Sequence, residues 1–137
     1  MMKKFWRRAG TAFSAFSLVA AGSVISTIPA QAAASSSAIV NTNGSRAGEA
    51  WFNRSNGTRG NKAWFDVYDA KCDASPVYVQ YKINGSLKTN HHTNDGGCDT
   101  TAGFNLQTGS FTIEYRACVD DSIILNDTCS AWKKDRN

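Results

Sequence analysis

Short runs of alternating apolar and polar residues, separated by turn residues, fill most of the chain after residue 47. The clearest run is Pro76–Ile83, where alternate side chains share a face because the period of a strand is two. That apolar face comprises Val77, Val79, Tyr81 and Ile83. Asn84-Gly85 follows directly, and this pair favours a type I′ hairpin turn. The pattern predicts one strand ending in a tight turn.

Other runs along the chain predict further strands of similar length. They are Glu49–Arg54, Lys62–Asp69, Ser86–His92, Gly103–Gln107, Ser110–Val119 and Thr128–Lys133. A glycine- and asparagine-rich turn at residues 55–61 would join the first two as a hairpin. No stretch of this region has the apolar period of a helix. We therefore predict an all-β fold, a small antiparallel β-sandwich or small barrel of about six to eight strands.

The first residues have the pattern of a signal peptide. A basic segment ending at Arg8 precedes an apolar, small-residue run, and Pro29 and Ala30-Gln31-Ala32 follow. We expect cleavage after Ala32, with Ala34 as the alternative site. The predicted organisation is a signal peptide at 1–32, a flexible lead-in at 33–46 and one β-sandwich domain at 47–137. Within the lead-in, Ala38-Ile39-Val40 is a candidate edge strand.

The predicted cleavage changes the charge of the protein. The full chain has a formal net charge of +4, from 15 Lys and Arg against 11 Asp and Glu. Residues 1–32 contain four basic residues and no acidic one, so 11 of each sign remain. A neutral secreted chain gives no electrostatic reason to bind nucleic acid. We expect an extracellular protein that binds no nucleic acid and, after cleavage, no membrane.

The chain has four cysteines, and all of them follow the predicted signal peptide. An even count in a short exported chain indicates disulfides, with three possible connectivities. We favour Cys72–Cys98 and Cys118–Cys129, because each closes a local loop between neighbouring strands. The alternative, a zinc site, lacks a Cys-x-x-Cys motif. If Cys129 bridges Cys118, strand alternation turns Trp132 into the core.

Adjacent aromatic residues make the most distinctive pattern. Trp51-Phe52 and Trp64-Phe65 must each direct one ring away from a single core. The outer rings could form a platform for a sugar or a protein surface, unless a further strand or loop covers them. The candidate ligand-binding residues are Trp51, Trp64, Tyr68 and Tyr78.

Two polar clusters invite a metal or catalytic interpretation. His91-His92 lies near acidic residues, but neighbouring side chains of a strand face opposite ways, which favours a solvated hairpin end. Asp120-Asp121 with Asn126-Asp127 offers oxygen ligands for calcium, yet lacks the EF-hand spacing. We find no enzyme signature and expect a non-enzyme with no catalytic residue, metal or cofactor.

Four segments resemble small exported proteins of filamentous actinobacteria. They are Ala50-Trp51-Phe52, Val67-Tyr68-Asp69, Tyr81–Gly85 and Tyr115–Asp120, with a final Cys-Ser-x-Trp at Cys129–Trp132. The resemblance implies a short β domain with two cysteine pairs, without an assigned activity. In size and bridge number the chain is also similar to the tendamistat-type amylase inhibitors, but it lacks their Trp-Arg-Tyr triplet.

These observations favour a secreted, non-catalytic binding protein, expected to be a monomer. Its partner would be an extracellular protein or glycan that contacts exposed aromatic rings. The alternative is a secreted inhibitor of an extracellular hydrolase, which acts through a rigid loop such as Thr93–Gly97 or Asp120–Asp127.

Overall fold

A computed structural model describes residues 35–121 and 126–137, and the predicted signal peptide at 1–32 lies outside them. The described residues form nine strands and one short 3₁₀ turn, Arg59–Asn61. The strands are β1 (Ser36–Thr42), β2 (Ser45–Asn53), β3 (Lys62–Asp69), β4 (Val77–Ile83), β5 (Asn90–Thr93), β6 (Thr101–Thr108), β7 (Thr112–Val119), β8 (Thr128–Cys129) and β9 (Lys133–Arg136). None of these residues forms a helix long and apolar enough to cross a membrane.

The strands form two antiparallel sheets, which confirms the predicted all-β sandwich. Sheet A has the order β1-β2-β3-β6, and sheet B has the order β5-β4-β7-β8, with β9 also paired to β7. The predicted hairpin of β2 and β3 is present, with Trp51 opposite Asp66 and Phe52 opposite Phe65. Each sheet buries one face against the other and leaves an outer face, so the sandwich has two outer surfaces.

Aromatic side chains form the centre of the core. Phe52, Phe65 and Tyr115 are fully buried, with ring centroids 5.2 to 6.1 Å apart. The Tyr115 hydroxyl lies 2.7 Å from Ser36 Oγ, so the buried ring keeps a polar partner. Burying each such side chain contributes roughly 1.5–3 kcal/mol. The phenylalanine of each Trp-Phe pair is therefore a core residue.

The lead-in predicted at residues 33–46 is wrong where the structure describes it, because most of that segment is β-strand. β1 pairs with β2 along its length, and Ala38 and Val40 lie in the core. Asp135 holds the start of β1: its carboxylate accepts hydrogen bonds from Ser35 Oγ (2.8 Å) and Ser36 Oγ. The start of β1 is thus fixed to the last strand, β9, and is not the flexible segment that the sequence predicted.

Asp135 is almost fully buried, and its side chain is 6% exposed. Burial alone would raise its pKa, but hydrogen bonds outweigh it and lower the pKa to about 2. The donors include Arg54 Nη2, 2.6 Å away, in addition to the two serines. A buried carboxylate with several donors stays ionised. It joins β9, β1 and the end of β2.

Two disulfides stabilise the sandwich, in the predicted connectivity of Cys72–Cys98 and Cys118–Cys129. The first joins the loops that follow β3 and β5. The second joins directly opposed residues of β7 and β8. Cys72 is exposed, whereas Cys118 is fully buried. Two such bridges indicate an oxidising environment.

The single strand predicted at Thr128–Lys133 is two short strands, β8 and β9. Both pair with β7, where Cys129 lies opposite Cys118 and Lys133 lies opposite Tyr115. The chain advances four residues from 129 to 133 while β7 advances three, from 118 to 115. One extra residue between two paired positions reverses the face of the side chains that follow it.

This reversal makes the prediction of a core position for Trp132 wrong. Its ring lies on the outer face of sheet B, partly exposed, with the Arg116 guanidinium 4.6 Å and Lys82 Nζ 4.9 Å from its centroid. A cation over an indole face is a favourable contact in itself. Trp132 thus stabilises the surface of sheet B.

Candidate functional site

The four candidate aromatic residues lie on both surfaces of the sandwich. Trp51, Trp64 and Tyr68 occupy the outer face of sheet A, whereas Tyr78 lies on the outer face of sheet B. The prediction that each Trp-Phe pair would direct one ring outward is confirmed, because both phenylalanines are fully buried. Three of the candidates therefore share one surface, and Tyr78 lies on the opposite one.

One half of the sheet A surface is a stack of Arg46, Trp51 and Tyr68. The two rings have centroids 6.2 Å apart, and the Arg46 guanidinium lies 5.7 Å from the Trp51 ring and 5.1 Å from the Tyr68 ring. Arg46 also forms an ion pair with Glu49. The Tyr68 hydroxyl donates to Asp99 Oδ1 at 3.1 Å, which raises the pKa of Tyr68. Both rings remain partly exposed.

The other half centres on Trp64, which is only 5% exposed. Its Nε1 donates to Asp66 Oδ2 at 3.0 Å, and the same oxygen accepts from Asn53 Nδ2 at 3.0 Å. The Arg59 guanidinium lies 4.9 Å from the ring centroid and pairs with Asp66 at 3.7 Å. Arg59, from the loop at residues 55–61, therefore covers Trp64. For this ring the structure matches the alternative prediction, in which a loop covers the outer ring.

Gly103 makes room for this cover. A Cβ atom at this position would lie 2.9 Å from Arg59 Nη1 and 3.3 Å from Asp66 Oδ1. Gly103 lies opposite Asp66 in the register of β3 and β6. The missing side chain lets the guanidinium lie against the sheet. The cover over Trp64 thus depends on both the loop at residues 55–61, which supplies Arg59, and β6, which supplies Gly103.

We call this surface the sheet A outer face. Its members are Ile39, Arg46, Glu49, Trp51, Arg59, Trp64, Asp66 and Tyr68. Ile39 is 46% exposed and lies opposite Glu49. Its aromatic members are among the candidate residues predicted from the sequence, whereas its two arginines are not. The face combines paired charges and an exposed aliphatic residue with Trp, Tyr and Arg, the three residue types in which interface hot spots are enriched.

Tyr78 borders a small cleft on the outer face of sheet B, with a volume of about 280 Å³. Its ring is 7% exposed, and its hydroxyl donates to Asp127 Oδ2 at 2.5 Å. Burial, and then this hydrogen bond, raise the pKa of Tyr78 well above its usual value. Gln80 and His91, which lie opposite each other in β4 and β5, also line the cleft. The Tyr78 hydroxyl proton thus already has a hydrogen-bond acceptor, Asp127.

The acidic loop considered for calcium uses its carboxylates within the fold. Asp121 Oδ2 accepts from Thr128 Oγ1 at 2.9 Å, and Asp127 accepts from Tyr78. Residues 122–125 lie outside the described residues. Across 35–121 and 126–137, the one cluster of three potential metal ligands is Cys72, Cys98 and Asp99. Its two sulfurs are bonded to each other, so they supply no thiolate.

The two adjacent histidines lie on opposite faces of β5, as strand alternation predicts. His91 lies edge-on to Tyr78, with ring centroids 6.2 Å apart. His92 lies between the sheets, stacked on Phe104 at 4.7 Å and on Tyr81 at 5.4 Å. Its Nε2 is 3.0 Å from the Tyr81 hydroxyl. His92 closes the seam between β5 and β6.

We expect acid to weaken this seam. Burial, and then the nearby His91, lower the pKa of His92 below its usual value of 6.5. The unfolded chain then binds the proton more readily than the native state, so the free energy of unfolding falls as the pH drops below about 6.5. Urea denaturation of wild type and His92→Phe at pH 7.5, 6.5 and 5.5 measures this. The variant keeps the ring stack and should lose part of the pH dependence; equal slopes would contradict the prediction.

The fold and surface define a disulfide-bonded β-sandwich with an aromatic and arginine-rich outer face. Comparison of the chain with protein-family models, with curated proteins and with solved structures finds no match.

Proposed function

We propose that this chain is a secreted, non-catalytic binding protein whose sheet A outer face binds the surface of another extracellular protein. The observation that carries the proposal is the Arg46–Trp51–Tyr68 stack, partly exposed and next to exposed Ile39. Export through the predicted signal peptide agrees with the two disulfides, which require an oxidising environment.

A protein partner fits this face better than a glycan does. A sugar stacks on an open aromatic ring, but Trp64 is 5% exposed and Arg46 lies over the other two rings. Trp, Tyr and Arg are the residues that most often dominate the energy of protein interfaces. The charges of the face are already paired, Arg46 with Glu49 and Arg59 with Asp66, so it does not require a strongly charged partner.

The test is capture of secreted proteins by the folded protein, followed by affinity measurement with each purified candidate. Trp51→Ala should lower the affinity by about thirtyfold or more, since truncation of an interface hot spot costs at least about 2 kcal/mol. Arg46→Ala should have a similar effect. The matched control is Trp132→Ala, which removes an indole from the opposite surface, and circular dichroism checks that each variant is folded.

Three results would reject the proposal. In the first, every captured protein binds Trp51→Ala and Trp132→Ala equally, which would place binding elsewhere. In the second, wild type is a dimer that Trp51→Ala converts to a monomer, which would make the face a contact between two copies. Retention by purified polysaccharide that depends on Trp51 would identify a glycan as the ligand instead.

A further inference from the structure

A cleft of about 490 Å³ lies between the loop that follows β3 and the loop that follows β5. This volume falls within the range of small-molecule sites in proteins. The lining combines apolar groups with acidic residues: Ala74, Pro76, the Cys72–Cys98 disulfide, Asp69 and Asp95. The cleft is therefore large enough for a small organic molecule or for the end of a long side chain.

Both loops that form the cleft are fixed to the sandwich. Asn94 is 1% exposed, and its Nδ2 donates to the carbonyl oxygens of Val67 at 3.0 Å and Thr100 at 2.8 Å. The backbone N–H of Asn94 also donates to the Val77 carbonyl at 2.8 Å. The Cys72–Cys98 disulfide then joins one loop to the other. A ligand would meet a preorganised cleft, which favours binding because little conformational freedom is lost.

Asp69, the last residue of β3, contributes a buried carboxylate to this cleft. The residue is 4% exposed, and its Oδ1 accepts the Lys71 N–H at 3.1 Å. Oδ2 accepts no hydrogen bond from the described residues, whereas every fully enclosed side-chain oxygen or nitrogen among them has a partner. Oδ2 is therefore open to the cleft that Asp69 lines.

The described residues supply no cation for this carboxylate. None of their four ion pairs includes Asp69. Lys71 also lines the cleft, but its Nζ donates to the Thr42 carbonyl oxygen at 2.7 Å and to Thr42 Oγ1 at 2.6 Å. Burial, and then the neighbouring Asp73 and Asp99, raise the pKa of Asp69. Buried carboxylates in proteins are ordinarily paired, so this one favours a cation from outside the chain.

We propose that the cleft binds an alkylammonium group, with the ammonium against Asp69 and the aliphatic chain against Ala74, Pro76 and the disulfide. An ammonium donates charge-assisted hydrogen bonds to a carboxylate, and these are stronger where water is largely excluded. Methylene groups would remain in contact with the apolar wall. Small aliphatic amines and lysine side chains both carry this group. The site does not depend on the sheet A outer face.

The lining is suited to an organic cation rather than to a metal ion. Calcium takes about six to eight oxygen ligands. Across residues 35–121 and 126–137, Asp69 belongs to no cluster of three potential metal ligands. An ammonium group needs only a few acceptors, and its aliphatic chain uses apolar surface that a metal ion would not. One buried carboxylate in a partly apolar cleft therefore matches an alkylammonium.

The experiment is isothermal titration calorimetry of the folded, disulfide-bonded protein at pH 7 with n-butylammonium chloride. We expect a dissociation constant of about 1 mM or lower, which is within reach of so small a ligand. The uncharged n-butanol should bind at least tenfold more weakly. Asp69→Asn keeps an acceptor for the Lys71 N–H and should weaken n-butylammonium binding at least tenfold. Glu114→Gln removes the same charge from the outer face of sheet B and should leave binding unchanged.

Thermal unfolding separates a binding role of Asp69 from a structural one. Asp69→Asn should unfold at the same temperature as wild type or higher, because it removes a buried charge that has no partner. n-Butylammonium should raise the unfolding temperature of wild type and not that of Asp69→Asn. A lower unfolding temperature for Asp69→Asn would make the carboxylate a structural group and overturn the proposal.

A second ligand distinguishes the two sources of the alkylammonium group. If N-acetyl-lysine N-methylamide binds as tightly as n-butylammonium, the cleft accepts a lysine side chain of a partner protein. If it binds more weakly, the cleft selects a small free amine. The proposal fails if n-butylammonium does not bind wild type at about 10 mM, a concentration well above the expected dissociation constant. It also fails if Asp69→Asn or n-butanol binds as well as the wild-type pair.

Discussion

Replacement of all four cysteines by alanine is expected to leave the domain largely unfolded at 37 °C. The loops closed by Cys72–Cys98 and Cys118–Cys129 do not overlap, so their entropic contributions add. Each bridge contributes about 3 kcal/mol by loop closure, roughly 6 kcal/mol together. A small domain has a total stability of only about 5–15 kcal/mol. Circular dichroism and urea denaturation measure the loss.

The two single-bridge variants separate the contributions. Removal of Cys118–Cys129 also creates a cavity, because Cys118 is fully buried, whereas Cys72 is exposed and leaves none. Mild reduction of wild type should open Cys72–Cys98 first, because an attacking thiolate can reach it. If the four-alanine variant has the same unfolding midpoint as wild type, the disulfides do not stabilise the domain and the prediction is wrong.

Gly48→Ala is expected to lower the free energy of unfolding by about 2–3 kcal/mol, since an added methyl group overpacks the core. A Cβ there would lie 2.5 and 2.6 Å from the two Cγ atoms of Val77, and 2.9 Å from the Tyr68 carbonyl oxygen. Val77 is 1% exposed and belongs to the core, so its two methyl groups are packed among other core side chains. The glycine is therefore required for close packing of the sheets rather than for a special backbone angle.

Gly103→Ala is the matched control for this variant. Its Cβ would also approach an atom at 2.9 Å, but that atom is the end of the flexible Arg59 side chain, which can shift. We expect a much smaller loss of stability. The double variant Gly48→Ala/Val77→Ala should lose less free energy of unfolding than the sum of the two single variants, because Val77→Ala removes the methyl groups that the new Cβ would meet. Simple additivity, measured by urea denaturation, would show that the two residues do not clash.

The inward faces of the strands and the hairpin of β2 and β3 could be predicted because local pattern and tertiary environment agree. Lys62–Asp69 begins and ends at the predicted residues, since Ala63, Phe65 and Val67 alternate into the core and a glycine- and asparagine-rich turn precedes the run. The inward set of β7, which includes Ile113 and Tyr115, followed from alternation alone. The cysteine pairing followed because strands adjacent in the chain are often adjacent in the sheet.

Single extra residues explain what could not be predicted. In β1 and β2, Val40 pairs with Gly48 and Asn41 with Arg46, so Ala47 has no partner. This bulge turns Arg46 onto the face of Trp51, and the extra residue before β9 likewise moves Trp132 outward. A bulge changes register without a clear signal in composition. Both errors therefore concern outer surfaces, where no core pattern fixes the alternation.

The position of the arginine over each outer ring depends on contacts between distant parts of the chain. Arg59 reaches Trp64 only because β6 brings Gly103 beside Asp66. The sequence indicated that a loop could cover the rings but contained no sign of which residue would do so. The start of β5 also differs from the prediction, since the strand expected from Ser86 begins at Asn90.

The basic side chains over the tryptophans also make the intrinsic fluorescence of this protein informative about local structure. Among the described residues, Trp51, Trp64 and Trp132 are the tryptophans, and each lies beneath a different basic side chain. Their burial differs, so their emission spectra should differ as well. Variants that retain one indole at a time would report separately on the two ends of one surface and on the opposite surface. Local opening and ligand contact could then be resolved without an added label.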